Sequence, residues 1–139
     1  MSLDAALRTI KAAGDPTRIR LLALLAAGEA AVGELQQILG QSQPRVSRHL
    51  RILDDAGLVT KFRDGQWIYY RLAVTPEARE FAQNAVDLAG ANDSTLSADA
   101  AALARVKKAR ERDAFAAPMR AASASGALAA GRPNPDEFA

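Results

Sequence analysis

The sequence predicts a mainly α-helical fold with one small β-hairpin, built as five core helices and a C-terminal helical extension. Three observations predict it. Apolar residues recur at helical spacing in short segments that Gly14, Gly28, Gly40 and Gly57 close. Two of those segments are joined by only Gly40-Gln41-Ser42, the length and composition of a helix-turn-helix corner. Asp64-Gly65 separates two runs rich in β-branched and aromatic residues, the strongest short signal for a hairpin.

In chain order, residues 3–13 place Leu3, Leu7 and Ile10 on one helical stripe before Gly14. Asp15 is a natural N-cap and Pro16 a natural first residue for the next helix. Ile19, Leu21, Leu22, Leu24 and Leu25 make that helix apolar nearly all round, so it belongs at the centre of the core. A short helix at about 32–39 follows, then a longer one capped by Ser42 and running to Ala56, with Gly57 as its C-terminal cap. The β-runs are 58–63 and 66–72, turning at Asp64-Gly65, with Ile68, Tyr70 and Leu72 on the inward face. After Thr75-Pro76 a helix to about Ala89 carries Phe81, Val86 (or Ala85) and Leu88 as its apolar stripe. A break at 90–97 then leads to an Ala- and Arg-rich helix at about 98–116. Helix, corner, basic helix and hairpin in this order make a winged helix-turn-helix.

The 139 residues suffice for one domain and some extra helix. The expected divisions are a winged helix-turn-helix domain at 1–90, a helical extension at 91–117 and a disordered tail at 118–139, poor in residues to bury. Hydrophobic residues make up 49% and charged ones 24%, ordinary for a soluble protein, and no apolar run is long enough for a membrane span. Asp4 and Lys11 interrupt the only stretch that could imitate an export signal, so a cytoplasmic location is expected. The net charge of +2 hides a basic excess within residues 1–75. Cysteine is absent and His49 is the single histidine, so no disulfide, thiolate chemistry, resident metal or other cofactor is expected. An enzyme is not expected either: Ser42 and Ser47 do not converge with His49 on a helix, and no other nucleophile–base pair stands out.

The helix from Ser42 carries the functional expectation. Val46, Leu50 and Leu53 form its inner stripe, which leaves Gln43, Pro44, Arg45, Ser47, Arg48 and Arg51 outside. Arginine pairs bidentately with guanine and glutamine with adenine in the major groove, and a helix N-terminus favours a nearby phosphate. Lys61, Arg63 and Gln66 on the hairpin would add phosphate contacts that fix register. The expected partner is therefore double-stranded DNA. A winged helix that binds only protein would need an exposed apolar patch, and 43–51 holds none.

Residues 5–73 resemble the ArsR/SmtB family of bacterial transcriptional repressors, through DPTRIRLLALL (15–25), VGELQQILGQSQPRVSRHLRILDDAGLV (32–59) and DGQWIYYRL (64–72). The resemblance implies a homodimer joined by first and last helices, bound to an imperfect inverted repeat and released by an inducer. It places Ser42, Gln43, Ser47, Arg48 and His49 where the family's recognition helix meets DNA, and the wing at 61–67. For His49 two readings stand side by side, direct DNA contact and a packing or hydrogen-bonding role beside Leu50. The apolar stripes of Leu3, Leu7 and Ile10 and of Phe81 and Leu88 lack an obvious partner within one chain, which also suggests a dimer face.

Departures from the family pattern bear on the inducer. The resemblance implies cysteines before the turn in arsenic, cadmium and lead sensors, and Asp/His pairs on the last core helix in zinc and nickel sensors. VGELQQ has no cysteine and 77–89 no histidine. GQSQPRVSRHLRIL (40–53) followed by an Ala/Arg-rich helical extension resembles the regulatory half of members fused to S-adenosylmethionine-dependent methyltransferases, which implies a non-metal effector such as S-adenosylhomocysteine, beside the alternatives of an unrelated small molecule or no effector.

Overall fold

A computed structural model describes residues 2–121. Among them the elements are α1 (Leu3–Ala13), α2 (Pro16–Ala26), β1 (Ala30–Ala31), α3 (Val32–Leu39), α4 (Gln43–Asp55), β2 (Val59–Asp64), β3 (Trp67–Leu72), α5 (Pro76–Asp87) and α6 (Ser94–Ala121). Five helices and a wing, extended by a sixth helix, reproduce the expected architecture. The expected tail lies, from residue 122 on, outside the described residues.

The leucine-rich α2 is the hub, packing on α1, α4, α5, α6 and β3. Its first turn is closed by the Asp15 carboxylate, which accepts from the Arg18 N–H at 3.1 Å, with Pro16 in the slot where no donor is needed. Leu21, Leu22, Leu24 and Leu25 are all buried, in one core with Leu35, Val46, Leu50, Leu53 and Leu58. Helix α4 ends in a Schellman closure, Leu58 N–H to Leu53 O at 2.9 Å and Gly57 N–H to Asp54 O at 2.9 Å. That closure delivers the chain directly into β2.

Four details differ from the sequence expectation. The hairpin register pairs Asp64 with Trp67, so the two loop residues are Gly65 and Gln66 instead of Asp64-Gly65. Of the two loop residues only Gly65 takes a positive φ (66°), the pattern of a turn with glycine at its first central position, and among the described residues no non-glycine residue has a positive φ. Asp64 therefore belongs to β2, and Gln66 lies in the turn itself. Second, Ala30–Ala31 pair with Tyr70 and Tyr69, making a three-stranded sheet of order β1-β3-β2. Third, both faces of β3 are covered. Leu72 is buried and Tyr70 packs on the main core, while Ile68 is only half-buried; on the opposite face Trp67 and Tyr69 are buried with Ala31, against Phe62. Fourth, α6 begins at Ser94, not 98, because the Asp93 carboxylate caps it by accepting from Leu96 N–H at 2.8 Å.

Helix α1 docks through its small face, Thr9, Ala12 and Ala13. Its large residues stay outside: Leu3 is 75% and Ile10 55% exposed, and Leu88 after α5 is 89% exposed. Phe81 departs from its expected place on a free stripe, since it packs partly against the core beside the fully buried Ala82.

Candidate nucleic-acid interface

The N-terminal end of α4 is built by a chain of side-chain hydrogen bonds. Ser42 Oγ accepts from the Arg45 N–H at 3.4 Å, closing the first turn in the way its residue type dictates. Gln43 Nε2 donates to Ser47 Oγ at 2.8 Å, one helical turn along. Arg45 Nε donates to Gln41 Oε1 at 3.1 Å, and Gln41 Nε2 donates in turn to Thr17 Oγ1 on α2 at 3.0 Å. The corner residue Gln41, not among the sequence candidates, thereby orients Arg45 from the α2 side. Its signal in the sequence is the four-residue spacing to Arg45.

The inner and outer faces of α4 separate as the periodicity requires. Val46, Leu50 and Leu53 are fully buried. Ser42, Pro44, Arg45, Arg48 and Arg51 are exposed, with Gln43 and Ser47 half-buried between them. No large apolar side chain is exposed on 43–51; among the described residues the exposed ones are Leu3, Leu7, Ile10, Val74 and Leu88. On the wing Lys61, Arg63 and Gln66 are all exposed, and Lys61 and Arg63 fall on one face of β2. The other face carries Phe62, stacked on Tyr69 at 5.7 Å, with the Arg71 guanidinium 4.7 Å over the Phe62 ring.

His49 is a packed, hydrogen-bonded side chain in this structure. It is 8% exposed and turned toward α2, where Arg18 Nη1 lies 3.1 Å from Nδ1. Arginine only donates, so Nδ1 accepts and the proton sits on Nε2. Arg18 is itself held by donating through Nε to Ala12 O at 2.6 Å. The Asp15 carboxylate stands 3.9 Å from Nδ1. Burial pushes the imidazole below its ordinary value, Asp15 pulls the other way, and Arg18, Arg45 and Arg48 add to the lowering. His49 is thus neutral at pH 7, and that contact with Asp15 is no ion pair.

A pH dependence follows. Because the folded ring holds its proton less tightly than the unfolded one, the unfolded state binds more protons as pH falls past about 6.5. Its stabilising contribution is complete above that value and is lost as pH drops through the folded pKa. Thermal melts should therefore show lower stability at pH 5.5 than at 7.5, with a smaller difference in His49→Gln. An equal difference in that variant would place the titration elsewhere.

Among the described residues no cluster of three His, Asp or Glu could hold a metal ion, and no helix is long and apolar enough to cross a membrane.

Comparison with known proteins places this geometry. Residues 15–61 match the family model "Bacterial regulatory protein, arsR family". The arsenic resistance transcriptional regulator ArsR1 of Pseudomonas putida is 42% identical over 98 residues, covering 69% of this chain and 75% of that relative. The transcriptional repressor SdpR of Bacillus subtilis is 42% identical over 65 residues, 47% of this chain and 72% of the relative. Among solved structures, the homodimeric winged helix-turn-helix DNA-binding domain from Mycobacterium bovis aligns with a TM-score of 0.56 at 35% identity, covering 66% of this chain and 88% of that one. HlyU from Vibrio cholerae aligns with a TM-score of 0.56 at 30% identity, covering 63% and 97%.

Proposed function

The chain belongs to the ArsR family of bacterial regulatory proteins, and from that premise we propose that it is a dimeric, cytoplasmic repressor that sets α4 into the major groove of an imperfect inverted repeat. It is a DNA-binding transcriptional regulator with a winged helix-turn-helix, not an enzyme. The observation that carries the reading is the division of α4: a leucine stripe sealed in the core, and an exposed face of Arg45, Arg48 and Arg51 beside the basic wing. Ser42, Gln43, Pro44, Arg45, Ser47, Arg48 and Arg51 meet bases and nearby phosphates. Lys61, Arg63 and Gln66 meet the flanking backbone, and His49 supports the helix from behind. Residues 1–90 hold the DNA-binding and dimerisation surfaces, and 91–117 extend them. Two such helices related by a two-fold axis read half-sites about 34 Å apart, or a multiple of it.

Selection of bound duplexes from a random pool tests this directly. On the selected operator, Arg48→Ala should cost about 1–3 kcal/mol and relax preference at one base position. Arg63→Ala should weaken all sequences alike and lower the salt slope by about 1. If neither change altered the footprint, the site assignment would be wrong.

The effector in this reading is a non-metal small molecule. Soft metals and metalloids select thiolate ligands, and this sequence contains no cysteine, although relatives are named for arsenic and mercury resistance. S-adenosylhomocysteine is the first compound to try, on the similarity of the extension to methyltransferase-associated members. Titration calorimetry that gives no heat, with operator affinity unchanged, removes it.

A further inference from the structure

We propose that Arg110, on the helix that extends beyond the winged domain, is a positioning residue for DNA recognition, clamping the wing to the first helix of the helix-turn-helix. The proposal rests on the DNA-binding reading and adds to it a part of the chain outside the matched family model, which ends at residue 61.

One guanidinium makes all the connections. Arg110 donates through Nε to Glu34 Oε2 at 2.6 Å and through Nη2 to Glu34 Oε1 at 2.5 Å, a bidentate pair. The same Nη2 reaches the Glu29 carbonyl at 3.1 Å. Its Cζ lies 5.8 Å from the centre of the Tyr69 ring, on the central strand of the sheet. Glu34, the third residue of α3, also accepts from the Ala31 N–H at 2.9 Å, the half of a capping box that needs no polar side chain at Ala31. The start of α3, the edge strand β1 and the wing strand β3 therefore meet at one side chain. On this side of the sheet β1 adds two residue pairs to the wing strand, Ala30 with Tyr70 and Ala31 with Tyr69, while the base of the wing packs on the main core through Val59, Tyr70 and Leu72.

The clamp acts from a fixed base. Asp99, buried on α6, takes both Arg20 Nε (2.8 Å) and Nη2 (2.9 Å), and Leu103 is buried in the main core. Lys107 Nζ donates to Ala27 O at 2.7 Å. Gly28 lies directly beneath that ammonium, where an added Cβ would come within 2.5 Å of Nζ. With α6 held along α2 in this way, Arg110 meets Tyr69 and Glu34 from a fixed position. The wing tip carries Lys61, Arg63 and Gln66, so the angle set at Tyr69 is the angle at which those groups reach a phosphate backbone.

Lysine could replace the charge of Arg110 but not its fork or its flat face. That distinction separates a positioning role from a simple addition of positive charge near DNA. The test compares the full chain with Arg110→Ala, Arg110→Lys and Glu34→Gln. Trp67 is the only tryptophan, buried in the cluster with Tyr69 and Ala31, so its fluorescence reports the wing without any DNA present. The expected result is a red-shifted, more quenchable Trp67 in all three variants. Operator affinity should fall about fivefold to tenfold, the scale of a lost phosphate contact, with Lys no better than Ala. Full rescue by Arg110→Lys, or unchanged affinity in Arg110→Ala, overturns the proposal; should the alanine variant not fold, the lysine variant decides by the same two readouts. A wild-type chain that binds no duplex sinks the DNA reading itself. Wild-type binding with indifferent variants sinks only the clamp.

Discussion

Replacing Ile10 and Leu88 together by aspartate should convert the protein to a monomer and lower its affinity for a complete operator about 100-fold or more. Both side chains are exposed, so neither aspartate enters the folded core. They border an open apolar groove of about 860 Å³ whose walls include Ile19, Phe81, Ala85 and Leu96. A small soluble domain rarely leaves such a surface to water, and Leu3 and Leu7 continue it along α1. If the groove face joins two copies, a pair of carboxylates per copy cannot be buried there without severe desolvation. Loss of the pair then removes the second binding event that makes an inverted repeat a tight site. Sedimentation velocity reads the mass, and titration of full and half operators reads the coupling. Half-site affinity should stay near wild type, because α4 and the wing are untouched. A double variant that sediments as a dimer would move the interface elsewhere on the molecule.

The sequence made the recognition helix legible because its signals are local. Ser42 as cap, Pro44 in the first turn and the stripe of Val46, Leu50 and Leu53 all lie within one short segment, and local sterics decide them. The turn of the wing was misplaced by one residue for a physical reason. Asp-Gly favours a turn needing two positive φ values, whereas here only Gly65 supplies one and Asp64 stays in the ladder. The strand at Ala30–Ala31 had no chance of recognition, since two alanines carry no periodicity and form a strand only by pairing with Tyr69 and Tyr70. His49 shows a second limit. Its helical position was readable, but its partner Arg18 lies on another helix, and nothing local says which nitrogen faces it. The clamps of α6 are further still from view: Glu34 and Arg110 are 76 residues apart, Arg20 and Asp99 79 apart. Read alone, those arginines resemble a solvated basic stripe.

Leu50→Ala should cost about 2–5 kcal/mol of folding stability, while Arg48→Ala, two residues earlier on the same helix, should cost less than about 0.5 kcal/mol. Leu50 has no solvent exposure and shares a core with Leu21, Leu22, Leu53 and Leu58. Truncation removes its transfer energy and leaves a cavity that rigid helices on several sides cannot close. Against a total of about 5–15 kcal/mol for a domain, that is a large share. Arg48 projects into water, so its removal disturbs no packing. Urea titrations at one fixed protomer concentration separate the two, because a dimer's midpoint moves with concentration. Leu50→Ala should shift the midpoint with little change in slope. Arg48→Ala should unfold like wild type yet bind its operator more weakly by about 1–3 kcal/mol. The contrast matters more than either number: the helix can read a groove only if one face is sealed by leucines and the other is free of structural duty. A Leu50→Ala protein as stable as wild type would mean that α4 is not seated by that stripe, and its arginines would then have no fixed orientation from which to read DNA.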